Sequence, residues 1–213
     1  LSGRNRQSKL IHDVFAFSYD FVVSLGDRIR LNSEHKVRRE YIAKLPIQPG
    51  EKVLETAAGT ASNLFYLPEK IDYYGLDISF PMRKRARRKA QKADREIELI
   101  QADCAYIPFR DETFEHVFHM GGLQFFQDPF KAVSEMARVA RPGSTIHILD
   151  EVSGAIPMLA RMPAHKKYAT DAESAVEGVK RLVPFSMQDA DSKIIPNTDF
   201  YALSFTKPSL TPS

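Results

Sequence analysis

The chain has 213 residues, 43% of them hydrophobic, enough for one substantial buried core but not for two ordinary domains. Its 30 Lys and Arg against 27 Asp and Glu leave a formal net charge of +3, too slight to argue by itself for nucleic acid or an anionic membrane. A single cysteine, Cys104, excludes an internal disulfide and a cysteine-cluster metal site, and no apolar run approaches the roughly eighteen residues of a membrane span.

Residues 1–9 are polar and basic without periodicity. From Leu10 to Leu45 apolar residues recur at helical spacing. Ile11, Val14, Phe15, Tyr19, Val22 and Val23 can share one face, which predicts two helices broken near Leu25-Gly26-Asp27. Pro46, Pro49 and Gly50 force a turn. The stretch Lys52 to Leu67, KVLETAAGTASNLFYL, then reads as a strand, a tight loop and a helix. Val53 and Leu54 supply the β-prone part and Glu55 marks its carboxyl end. Thr56 to Ala61 hold nothing bulky, so backbone amides there can approach a ligand at a helix N-terminus. A second strand over 72–78 carries Asp77, twenty-two residues after Glu55. That offset suits a carboxylate accepting hydrogen bonds from a ribose diol in a βαβ nucleoside-binding unit.

Pro81 opens a helix over Met82 to Asp94, with eight cations between Arg83 and Arg95. Those cations are spread around the helix and no aromatic residue is interleaved, which favours a solvated outer helix over one lying on phosphates. Ile97 to Gln101 form the third strand, followed at once by Asp103 and Cys104 at its carboxyl end, where open α/β sheets bind ligands. Phe114 to Met120 form the fourth, leaving through His119-Met120-Gly121-Gly122-Leu123-Gln124-Phe125-Phe126. His119 is the candidate proton acceptor there, because an imidazole titrates near neutrality; a structural histidine on a half-buried strand is the competing reading. Asp128-Pro129 start a helix through Ala140, Arg141-Pro142-Gly143 stop it, and a fifth strand over 145–149 ends in Asp150 and Glu151, either orienting a substrate or simply solvated. Helices are expected over 156–162 and 169–182, then an antiparallel pair over 183–187 and 200–207 joined by a polar turn at 189–199.

From Pro49 to Glu151 the order of parts is specific: glycine loop, ribose acid, Ala102-Asp103 before Ile107-Pro108-Phe109, an aromatic strand, Asp128-Pro129, and Arg141-Pro142-Gly143 before a strand. This half of the chain resembles the class I S-adenosylmethionine-dependent methyltransferases, particularly the branch of the ubiquinone and menaquinone biosynthesis C-methyltransferases. The resemblance implies an α/β, Rossmann-like, doubly wound seven-stranded sheet, mostly parallel with a C-terminal antiparallel hairpin and helices on both faces. It implies one domain over 1–213: a helical cap at 1–45, a cofactor-binding core at 46–151, and C-terminal helices and hairpin at 152–213.

It also implies S-adenosylmethionine as cofactor. Glu55, Ala57 and Gly59 would hold the methionine end together with Met120, Asp77 the ribose, and Ile78, Asp103 and Cys104 the adenine, while Tyr19 would cover the pocket from the N-terminal segment. The loop departs from the family pattern, because Ala57 and Ala61 stand where the family has glycine. Either those alanines take ordinary backbone angles or the loop carries about 1–3 kcal/mol of strain.

The expected activity is methyl transfer to carbon or oxygen of a small-molecule acceptor, with Phe15, Phe17, Tyr19, Phe125 and Phe126 as pocket material and no metal. Nucleic acid is disfavoured as partner. The alternatives are an RNA or protein methyltransferase using the basic helix, and a non-catalytic S-adenosylmethionine-binding or interaction module with a degenerate loop. The expected compartment is the cytoplasm, with an organelle left open because the sequence does not begin with methionine.

Overall fold

Short apolar strands with no polar face are what a sheet covered on both sides requires, and five such segments lie side by side here. The structure, a computed structural model, describes residues 28–152 and 171–209. Tyr19, Phe15, Phe17 and the helices expected before residue 28 and over 156–162 lie outside the described residues. β1 (Lys52–Thr56) is the centre. It runs parallel to β2 (Asp72–Leu76) on one side and to β4 (His116–Met120) on the other. β3 (Glu98–Ile100) pairs with β2, and β5 (Thr145–Glu151) with β4, both parallel. β7 (Phe200–Thr206) and β6 (Gln188–Ile194) add an antiparallel edge, giving a seven-stranded sheet in the order β3-β2-β1-β4-β5-β7-β6. This is the expected mixed sheet.

Alternate residues feed opposite cores. Leu54, Leu76, Val117, Ile146 and Ile148 pack with Val133, Met136 and Ala137 of α3 (Pro129–Val139) and with Ala175 and Val176 of α4 (Ala172–Gly178). On the other face, Val53, Tyr73, Phe118 and Leu149 pack with Val37 of α1 (Arg28–Glu40) and with Ala86 and Ala90 of α2 (Phe80–Lys92). Truncating a residue as enclosed as Leu54 would cost about 2–5 kcal/mol. α2 starts where Ser79 caps it, its hydroxyl accepting from the Met82 amide at 3.4 Å, with Pro81 in the first turn. Its inner face is the small Ala86–Ala90 pair, so Lys84, Arg87, Arg88 and Lys92 point outward. Arg83 instead donates to the Leu99 carbonyl at 3.0 Å, and Lys89 to the Ser62 hydroxyl at 2.8 Å.

Two expectations change. The helix after the β1 loop is only a 3-10 turn over Ser62–Tyr66, because left-handed Ala61 precedes it and Pro68 follows shortly after. The edge strand β6 lies at Gln188–Ile194, inside the segment expected to be a polar turn, while residues 183–187 form the turn around Pro184. An outermost strand needs no apolar face, and Gln188 to Asp191 are all exposed.

Candidate active site

The strand order reverses between β1 and β4, and a crevice outside the carboxyl ends of such strands is where open α/β sheets take ligands. The β1 exit supplies one wall. Ala57, Gly59 and Ala61 have φ of 52°, 55° and 53°, so all three stand in the left-handed region that glycine normally occupies. The loop therefore keeps the geometry of a glycine loop and carries the strain. It is over-determined: the Ala58 amide donates to the Leu76 carbonyl at 3.0 Å, and the Ala61 amide to the Ala58 carbonyl at 2.8 Å.

Neither alanine plugs the crevice. The Ala61 side chain is buried in the core with Val37 and Leu64, and Ala57 packs against the core on the opposite face. A Cβ placed on Gly59 would meet nothing within 4 Å, so the amide-lined bend borders open space.

Asp77 closes this wall from the end of β2. Its Oδ2 accepts from the Gly59 amide at 2.7 Å and its Oδ1 from the Ser79 amide at 2.7 Å. Both carboxylate oxygens are thereby fixed in orientation, and a carboxylate oxygen can accept more than one hydrogen bond. Beneath the loop, Glu55 is enclosed. Its Oε1 accepts from Asn63 Nδ2 at 2.7 Å, and its Oε2 accepts from the Tyr73 hydroxyl. Arg38 Nε donates to Asn63 Oδ1 at 2.8 Å and its guanidinium pairs with Glu34 at 2.9 Å, so α1 is tied to the loop through side chains. Burial pushes the Glu55 carboxyl up to about 7, against the lowering effect of Tyr73, Asn63 and Arg38. Burial and the neighbouring Glu55 push the Tyr73 phenol well above its usual range.

The β4 exit supplies the facing wall. Gly121 and Gly122 have φ of 82° and 97°, and a Cβ on Gly121 would also meet nothing within 4 Å. Asp150, at the end of β5, accepts from the Leu123 amide at 2.7 Å and the Gly122 amide at 3.2 Å. His119 pairs in register with Thr56 and is fully buried. Its Nδ1 lies 3.1 Å from the Thr56 carbonyl, and its ring meets Phe126 edge-on at 5.3 Å. In this arrangement the imidazole has no exposed surface.

Of the remaining sequence candidates, Ile78 and Asp103 are partly exposed at the same sheet edge. The Ile78 carbonyl accepts from Gln101 at 3.1 Å and Asp103 Oδ1 from the Ala105 amide at 2.9 Å. Cys104 is buried, and burial pushes its thiol up, which keeps it neutral. Met120 is half-buried at the end of β4. The structure thus brings Ala57, Gly59, Asp77, Ile78, Asp103, Cys104 and Met120 to one edge and encloses Glu55 and His119 below it. Sequence reasoning missed Arg38, Asn63 and Tyr73 altogether. Only Asn63 stood in the singled-out stretch, and nothing marked its amide as a bridge. Among the described residues no three His, Cys, Asp or Glu side chains are grouped to hold a metal ion.

Residues 54–148 match the family model described as a methyltransferase domain. The demethylmenaquinone methyltransferase of Lysinibacillus sphaericus is 30% identical over 151 residues, covering 69% of this chain and 64% of that protein. The protein of the same name from Shouchella clausii is 29% identical over 157 residues, covering 71% and 67%. The chain thus spans about two thirds of the length of these relatives. A SAM-dependent methyltransferase from Aquifex aeolicus shares the fold with a TM-score of 0.58 at 18% identity, covering 87% of this chain and 96% of that one. The [4+2]-cyclase SpnF also shares it, with a TM-score of 0.59 at 14% identity and coverage of 84% and 81%, so the architecture alone does not choose a reaction.

Proposed function

We propose, for a chain that belongs to the class I S-adenosylmethionine-dependent methyltransferases, that it transfers a methyl group to carbon or oxygen of a small aromatic acceptor of the quinol type. The observation that carries this reading is the paired wall at the β1/β4 switch point: Asp77 holding the Gly59 amide, with open space beside both Gly59 and Gly121. The residues present fit the cofactor. Asp77 takes the ribose hydroxyls, Asp103 accepts from the adenine amino group, Ile78 and Cys104 flank the ring, and the bend at Ala57 to Gly59 faces the methionine end with Met120. Glu55 acts through Asn63, holding the loop from below.

When bound, S-adenosylmethionine supplies an electrophilic methyl carbon on a sulfonium. The chain's own task is alignment, which can supply effective molarities on the order of 10^5 M or more where the acceptor is held in line. A quinol carbon beside a hydroxyl must also lose a proton, whereas an amine or thiol acceptor would not. The names of the relatives support the quinol class, and the proposed setting is the cytoplasm. No helix among the described residues is long and apolar enough to cross a membrane.

Calorimetry tests the cofactor. Wild type should bind S-adenosylmethionine and S-adenosylhomocysteine, and Asp77→Ala should weaken both at least tenfold without unfolding the protein; unchanged affinity contradicts the assignment. Methyl-labelled cofactor incubated with a short-chain demethylmenaquinol should give labelled quinol. Label appearing instead in RNA or protein would replace the acceptor class.

A further inference from the structure

Asp150 ends β5 with 2% of its surface exposed, yet it is no solvated strand terminus. Its Oδ1 accepts from the Gly122 amide at 3.2 Å and the Glu151 amide at 2.7 Å, and its Oδ2 from the Leu123 amide at 2.7 Å. The Gly121–Leu123 turn therefore turns two amides back onto one carboxylate, while Gly121 borders open space and a Cβ on Gly122 would meet Phe125 at 3.8 Å.

Directly behind, His119 Nε2 lies 3.8 Å from Asp150 Oδ2 and has no hydrogen-bond partner, on a ring with no exposed surface. A buried polar atom left unpaired is destabilising, and a bare lone pair facing a carboxylate would add repulsion. Shortening the gap by about 1 Å turns it into a hydrogen bond. The opposite nitrogen has a partner in either protonation state: in a neutral ring with its hydrogen on Nε2, Nδ1 accepts from the Thr56 hydroxyl at 3.3 Å, and in the imidazolium it donates to the Thr56 carbonyl at 3.1 Å.

We propose that Asp150 and His119 are the positioning pair of the acceptor-side wall: Asp150 holds the Gly121–Leu123 turn, and His119 holds Asp150 through a hydrogen carried on Nε2. Neither touches cofactor or acceptor. Together they set where the turn stands, and so where an acceptor lies relative to the methyl donor. Only the kinetic arm below rests on the methyl-transfer reading.

Backbone amide exchange by NMR tests the pair without any ligand. In Asp150→Asn the side chain keeps one oxygen, so at least one of the Gly122 and Leu123 amides should exchange at least tenfold faster. The Gly59 amide, held by Asp77, should change less than twofold. His119→Gln, which keeps a donor, should preserve the slow exchange, and His119→Leu should lose at least threefold of it. In wild type, nitrogen-15 spectra should show a hydrogen bonded to His119 Nε2. With the short-chain demethylmenaquinol, Asp150→Asn should raise KM at least fivefold while S-adenosylmethionine affinity moves less than threefold. Unchanged exchange at both amides, equal loss at Gly59, or a bare Nε2 overturns the proposal. Should Asp150→Asn fail to fold, the His119 variants and the wild-type Nε2 signal decide it. Absence of labelled quinol with wild type rejects the acceptor class and leaves the exchange result to stand by itself.

Discussion

The two loops that flank the crevice are built on one plan with different residues. Each leaves a central strand, β1 or β4, and each is gripped by a carboxylate at the end of the strand outside it, Asp77 for the first and Asp150 for the second. Each also covers a buried titratable side chain, Glu55 or His119. The β4 loop meets its positive φ values with glycine, whereas the β1 loop meets two of three with alanine. Loop composition therefore tells how much strain is carried, and the carboxylate grip tells what shape is held. A loop fixed by Asp77 and the Ala58–Leu76 bond can keep left-handed alanines that a freer loop would relax.

The largest expected effect separates the buried groups. Glu55 has its carboxyl raised to about 7 in the folded protein, chiefly by burial. Between its ordinary value near 4.5 and 7, the native state keeps a proton that the unfolded chain has lost, so this contribution to stability is full below that window and lost as pH rises through it. A shift of that size corresponds to something on the order of 3 kcal/mol. Glu55→Gln should abolish that slope. Denaturant unfolding of both proteins at pH 5 and 8 should show the difference in stability between them moving in favour of the variant at the higher pH. A difference that does not vary with pH would mean that Glu55 ionises at its ordinary value.

The next effect exchanges the chemistry of the loops. Gly122→Ala puts a methyl at φ 97°, where its Cβ meets only Phe125 at 3.8 Å. Space is available, so the cost is conformational, about 1–2 kcal/mol. Thermal unfolding should register it, and exchange at the Leu123 amide should rise. A neutral substitution would show that the Asp150 grip tolerates alanine as the Asp77 grip does.

How much of this was legible in the sequence follows from how local each feature is. β1, β2, β4 and β5 were readable because strands covered on both faces are short and rich in aliphatic and aromatic residues. β6 was not, since Gln188-Asp189-Ala190-Asp191 carries the signature of a turn and its partner β7 comes later in the chain. Asp77 was singled out by its twenty-two-residue offset from Glu55, and Gly59 as the glycine of the small-residue turn. The alanine conformations were left open because both backbone angles and strain fit the sequence, and long-range bonds to Leu76 and Asp77 decide between them. Arg38 and Tyr73 act through partners 25 and 18 residues away, Asn63 and Glu55, and no spacing rule predicts such a bridge. Asp150 read equally as a substrate-orienting acid or a solvated strand end, because its bonds to the Gly122 and Leu123 amides span 28 and 27 residues and leave no local signal.

The smallest predicted effect is the sharpest test of the comparison. Ala57→Gly removes a left-handed penalty of about 1–2 kcal/mol, and the extra freedom of glycine in the unfolded chain returns about 0.5–1 kcal/mol of that. A net gain of about 0.5–1 kcal/mol should appear in denaturant unfolding. Ala61→Gly should gain less, because the Ala61 methyl is 1% exposed in the core and losing its burial costs about 0.8 kcal/mol. The loop already stands in the glycine conformation, so Ala57→Gly should leave S-adenosylmethionine affinity within threefold. A tenfold tightening would show instead that the Ala57 methyl narrows the crevice, and that the β1 loop had exchanged part of its cofactor grip for a smaller, better-packed wall.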